Sequence, residues 1–98
     1  MVRYRTRARD DIENIYDRIA RDMPRVALRV EDGIRAAGEL LASRPELGVA
    51  TGHRDVRRWP MTEYRYAIFY VIDWEEDAID ILRVVDGRRV RNLKRVPR

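Results

Sequence analysis

Apolar residues recur with a helical period in the first half of the chain and with a strand period in the second. Ile12, Ile15, Tyr16, Ile19 and Met23 stand at i, i+3, i+4, i+7 and i+11, which aligns them as one stripe on a helix. Thr6 stands where a cap would sit, with Asp10 and Asp11 near the positive end of the helix dipole. Pro24 cannot continue that helix without losing a backbone hydrogen bond, but its fixed φ suits the first turn of another, with Asp22 as the cap. The pattern therefore predicts a helical hairpin. Its second arm covers residues 24–43, with Ala27, Val30, Ile34, Ala37 and Leu41 on one face and Arg25, Arg29, Asp32, Arg35 and Glu39 on the opposite one. Gly33 and Gly38 inside it each cost up to about 1 kcal/mol relative to alanine. Either they let the two helices pack closely or they are tolerated weaknesses.

Arg44-Pro45-Glu46-Leu47-Gly48 ends this helix, and residues 49–55 carry neither period, so they read as a loop. Period two follows. Residues 56–61 read as a short strand that Pro60 marks as an edge or a bend; Thr62-Glu63 turns, and residues 64–73 form a second strand. In it Tyr66, Ile68, Tyr70 and Ile72 face one way and Ala67, Phe69 and Val71 the other, as a central strand covered on at least one side requires. Trp74-Glu75-Glu76-Asp77 connects it to an antiparallel return over residues 78–85. Val2 and Tyr4 alternate with Arg3 and Arg5, adding a first strand over residues 2–5. The order β-α-α-β-β-β predicts an α+β fold: an N-terminal helical hairpin packed on an antiparallel sheet of three to four strands, then a basic C-terminal tail.

Composition narrows the function. At 98 residues the chain reads as one domain, 1–98, large enough for one core and too small for two. It has no cysteine, which excludes a disulfide framework and thiolate metal sites and fits a reducing cytosol. No apolar run approaches the roughly 20 residues of a membrane span, so the expected location is cytoplasmic, with no membrane partner. The only histidine, His53, lies in the predicted loop with neither imidazole nor thiolate nearby. A solvated side chain is expected there, and neither metal nor cofactor. The net charge of +4 is unevenly placed: residues 88–98 hold Arg88, Arg89, Arg91, Lys94, Arg95 and Arg98 and no acid, leaving a net −2 on the rest. Such a run suits an anionic partner surface, or simply a solvated terminus.

Four segments carry a resemblance. Ala8 with Asp11-Ile12, Ile15-Tyr16 and Ile19-Ala20 resembles the "A..DL..I..YI" opening of the RelE/ParE family of bacterial type II toxins. Arg44-Pro45-Glu46-Leu47-Gly48 is similar to that family's "PE.G" loop, and Tyr66-Ala67-Ile68-Phe69-Tyr70 to its "Y.IFY" strand. Residues 81–88, ILRVVDGR, are similar to its "I.RV.HG.R" ending. The resemblance implies a small toxin restrained by a co-expressed ParD- or RelB-like antitoxin, and two possible targets. The RelE branch cuts messenger RNA on the ribosome; the ParE branch poisons DNA gyrase.

RNA cleavage needs a base for the 2′-OH, an acid for the leaving oxygen and cations around the phosphorus. Cations abound in Arg65, Arg83, Arg88 and Arg89, but Asp86 replaces the histidine before the glycine, and the tail lacks the tyrosine of the ribonuclease branch. Registering the strand end on the ribonuclease pattern "YRL.Y" places its arginine at Tyr66, with Arg65 one residue off and so on the opposite face. The expectation is a ParE-like, non-catalytic toxin that binds DNA gyrase through Arg83, Arg88, Arg89, Arg91, Lys94 and Arg95. The alternative is a ribosome-dependent ribonuclease acting on messenger RNA with Arg65, Arg83, Asp86 and Arg88. A nucleic-acid-binding module ranks below both, for want of a base-reading helix. Ile12, Tyr16, Ile34, Leu41 and Trp59 are the expected antitoxin contacts. Trp59 and Trp74 are either interface anchors or ordinary packing, and Arg83 is either functional or paired across the sheet with Asp80 or Glu63.

Overall fold

The computed structural model describes residues 1–87. Within them the elements run β1 (Val2–Tyr4), α1 (Thr6–Ala20), α2 (Pro24–Ser43), a 3-10 turn (Pro45–Leu47), β2 (Val49–Ala50), β3 (Arg57–Pro60), β4 (Tyr66–Asp73) and β5 (Ala78–Asp86). The sheet order is β1-β5-β4-β3-β2. Strands β2 to β5 pair antiparallel, whereas β1 lies parallel to β5 with Val2 opposite Ile79 and Tyr4 opposite Ile81. The sheet is therefore five-stranded and mixed, wider than the three to four antiparallel strands expected. A parallel neighbour needs a long crossover connection, and the helical hairpin supplies it. The extra strand β2 falls in the predicted loop; it consists of two exposed residues defined only by their pairing with Arg57 and Arg58.

The hairpin covers one face of the sheet. Ala8, Ile12 and Ile15 of α1 and Val30, Ile34 and Leu41 of α2 pack with Tyr66, Ile68, Tyr70, Ile79, Ile81 and Val84 into the main core. Burying each such aliphatic side chain is worth about 1.5–3 kcal/mol, and this interface, rather than capping, holds the helices. Arg5 and Met23 occupy the N-cap positions, and neither makes a side-chain capping bond. Thr6 is already the first residue of α1, so the expected caps at Thr6 and Asp22 are corrected. On the far face Val56, Ala67, Phe69, Val71 and Leu82 form a second, smaller cluster, which accounts for the apolar residues on both sides of β4.

The glycines of α2 serve its packing on the sheet side. A Cβ at Gly38 would stand 2.6 Å from the Tyr4 hydroxyl of β1, and one at Gly33 would stand 2.8 Å from the Tyr64 ring. Both contacts lie outside α1, so close helix–helix packing is not their reason. Burial there pushes the Tyr4 hydroxyl pKa upward.

Candidate functional site

The register of β5 shifts by one residue against β4 between Phe69 and Tyr70, and this slip organises the cationic side chains. Before it, Ile79 and Ile81 present their backbone to β1: the Ile79 amide donates to Met1 O, and the Ile81 carbonyl accepts from Arg5 N. Beyond Ile81, β1 has ended and the edge of β5 is open. The slip turns the amide of Val84 to that edge, where it donates to Asp11 Oδ2 of α1 at 2.9 Å. The same carboxylate takes Arg83 in a two-point grip, Nε to Oδ2 at 2.7 Å and Nη2 to Oδ1 at 3.0 Å. Asp11 thus stands in for the missing strand and holds Arg83, whose guanidinium it stabilises in the charged form. The partner is Asp11, neither Asp80 nor Glu63.

Asp80 belongs to Arg3, which lies opposite it in the register and also reaches Asp73, each at 2.7 Å. These bonds hold both carboxyls below their usual pKa range.

Where β4 and β5 meet at their far end, Arg65 lies 3.3 Å from Asp86 and over the Tyr66 ring, while Arg18 of α1 donates to the Tyr66 hydroxyl. The Gly87 amide donates to Arg65 O. On the opposite face of the sheet, half-buried Arg58 approaches Gly87 so closely that a Cβ there would stand 3.3 Å from its Nη2. Arg58 has no carboxylate partner among the described residues, and no sequence signal distinguishes it from the adjacent Arg57, which donates to Gly48 O at 2.7 Å. The structure therefore brings Arg65 and Asp86 together and sequesters Arg83 on α1. Arg88, Arg89, Arg91, Lys94 and Arg95 lie outside the described residues. His53 is half-buried in the β2–β3 connection, where its amide donates to Thr51 Oγ1. Among the described residues no group of three or more histidine or acidic side chains is placed to hold a metal.

Three of the expected antitoxin contacts are corrected by burial. Ile12 is 2% exposed and Ile34 and Leu41 are 0% exposed, because the helical stripe faces the protein's own sheet. Tyr16 and Trp59 keep accessible surface. What remains open beside Trp59 is a groove of about 240 Å³ between α2 and β3, floored by Gly33, Ala36 and Ala37 and walled by Leu40, Trp59 and Met61. The readable signal was there: small residues at helical spacing on the flank of the stripe.

Two helices on a mixed sheet with the N-terminal strand parallel to the last define a RelE/ParE-like toxin fold. The profile of the ParE toxin of the type II toxin–antitoxin system parDE matches residues 2–91, and the chain belongs to that family. It resembles the chromosomal ParDE system from P. aeruginosa at a TM-score of 0.75 and 19% identity, over 87% of this chain and 92% of that one. It also resembles the RelBE2 toxin–antitoxin complex of Mycobacterium tuberculosis at a TM-score of 0.61 and 24% identity, over 88% of each chain. No curated protein matches the sequence.

Proposed function

We propose that this toxin acts in the ParE manner, by binding DNA gyrase, and that a cognate antitoxin restrains it through the groove between α2 and β3. The observation that carries the reading is the pairing of the sheet arginines. Arg83 is gripped by Asp11 at 2.7 Å and Arg65 faces Asp86 at 3.3 Å, so each guanidinium already has a carboxylate partner. Stabilising charge at a reacting phosphorus requires donors pre-aimed at it. The target surface on this reading is the end of the sheet around Arg58 and Arg65, from which the chain continues into the basic residues 88–98. The groove, with its apolar walls and exposed Leu40, suits the apolar face of an antitoxin helix.

The alternative, a ribosome-dependent endoribonuclease on messenger RNA, draws on Asp86 beside Arg65, since a carboxylate can serve as a base. The test runs both activities on one preparation: gyrase supercoiling with the toxin added, and cleavage of messenger RNA on translating ribosomes. Loss of supercoiling with intact message is the expected result. Codon-phased cuts with gyrase unaffected would sink the proposal.

A further inference from the structure

The opposite end of the sheet carries a feature that neither target nor antitoxin reading uses. Trp74, at the tip of the β4–β5 hairpin, is 69% exposed, and the turn that carries it is hydrogen-bonded on both sides. Asp73 Oδ1 accepts from the Glu76 amide at 3.1 Å, Arg3 locks Asp73 from β1, and the N-terminal ammonium donates to Asp77 O. Trp74 is the wall shared by two hollows. One, of about 350 Å³, lies against Arg44, Pro45, Glu46 and Leu47. The other, of about 620 Å³, is lined by Val71 and Ile72, by Glu75, Asp73 and Asp80, and by Arg5 and Arg54. Glu75, Glu76 and Asp77 are all exposed and make no ion pair among the described residues.

An indole has only two side-chain torsions to fix on binding, and its face attracts a cation. Glu75, Glu76 and Asp77, which make no ion pair among the described residues, draw a cation to the tip itself, while Arg44 and Arg54 stand on the outer walls of the two hollows. The notch floored by Pro45 and Leu47 takes an apolar side chain. We propose that this hairpin tip is a docking site for a segment of a partner protein that presents an arginine or lysine next to an apolar residue, the cation lying on Trp74 and the apolar group in the notch. The site stands about 25 Å from Gly87, the length of an eight-residue strand, and so does not depend on the gyrase reading.

The test is a titration of the full chain, followed through its two indole N–H resonances, with the peptides acetyl-Leu-Arg-Leu-amide and acetyl-Leu-Glu-Leu-amide. The Trp74 indole and the amides of residues 44, 46, 47 and 75–77 are expected to shift saturably with the arginine peptide alone. Glu75→Gln with Glu76→Gln should weaken that binding about threefold, as expected for removing exposed charges. Trp74→Ala should weaken it comparably or more, with the melting temperature of each variant unchanged. Equal responses to both peptides, or none, would overturn the proposal. So would a response that appears only after residues 88–98 are removed, because the chain's own cationic segment would then be the occupant.

Discussion

The most consequential single residue is Asp11. Its carboxylate makes three hydrogen bonds, two to Arg83 and one to the Val84 amide, and its side chain is only 15% exposed. A part-buried charge that loses its partner retains its desolvation cost. Asp11→Asn keeps the shape but removes the charge, leaving the Arg83 guanidinium half-buried and uncompensated. The expected loss is about 2 kcal/mol, which for a domain of this size lowers the melting temperature by about 10 °C. Thermal unfolding followed by circular dichroism checks it. The double variant Asp11→Asn with Arg83→Met should recover much of the loss, because the amide oxygen can still accept from Val84 N and no buried charge is left alone. An Asp11→Asn protein that melts with the wild type would mean the clamp contributes nothing and that the charge of Arg83 is free for the target. The Arg83–Asp11 pair was not legible in the sequence: the residues are 72 positions apart, and only the slip in β5 brings them together.

At the scale of elements, one tyrosine ties both sides of the turn after α2 to the sheet. The Tyr70 hydroxyl donates to Pro45 O and accepts from Gly48 N at 2.9 Å, so a β4 side chain pins both sides of the turn that leads out of α2. Burial pushes its pKa upward. A Cβ at Gly48 would stand 2.5 Å from that hydroxyl, which explains why glycine follows Pro45-Glu46-Leu47. Tyr70→Phe leaves a buried amide without its partner and is expected to cost about 1–3 kcal/mol, with faster hydrogen exchange at residues 46–50 than in β4. Uniform exchange across both would show that the turn is held by something else. The helices and the β3–β4–β5 meander were legible because their apolar periods span many residues. Strand β2 was not, since two exposed residues have no period, and neither was the parallel docking of β1, a long-range choice. Periodicity marks the stripe that seeks burial, and of the expected antitoxin contacts Ile12, Ile34 and Leu41 find it inside their own fold. The open groove is the flank of that stripe, where small residues leave room.

At the scale of the whole molecule, the exposed acids of the β4–β5 hairpin gather at its tip. Tyr66 pairs with Asp86 at one end and Asp73 with Ala78 at the other, so the exposed acids Glu75, Glu76 and Asp77 lie at the end away from Arg58, Arg65 and Gly87. The chain then continues into six cations and no acid, over a remainder of net −2. A target such as DNA-bound gyrase, which presents phosphate or acidic protein surface, would meet the field of the basic end first, and such steering weakens as salt shortens its range. The groove proposed for the antitoxin is walled by Leu40, Trp59 and Met61, so binding there would draw on apolar burial, which salt screens little. The two functions should therefore separate. Truncation after Gly87 is expected to abolish growth arrest on expression while the shortened toxin still co-purifies with its antitoxin. For the intact chain, gyrase inhibition should fall between 50 and 200 mM salt, in the way phosphate contacts do, with antitoxin affinity nearly constant. If truncation removes antitoxin binding and toxicity together, residues 88–98 support the fold instead, and the target surface must be sought on the sheet around Arg58.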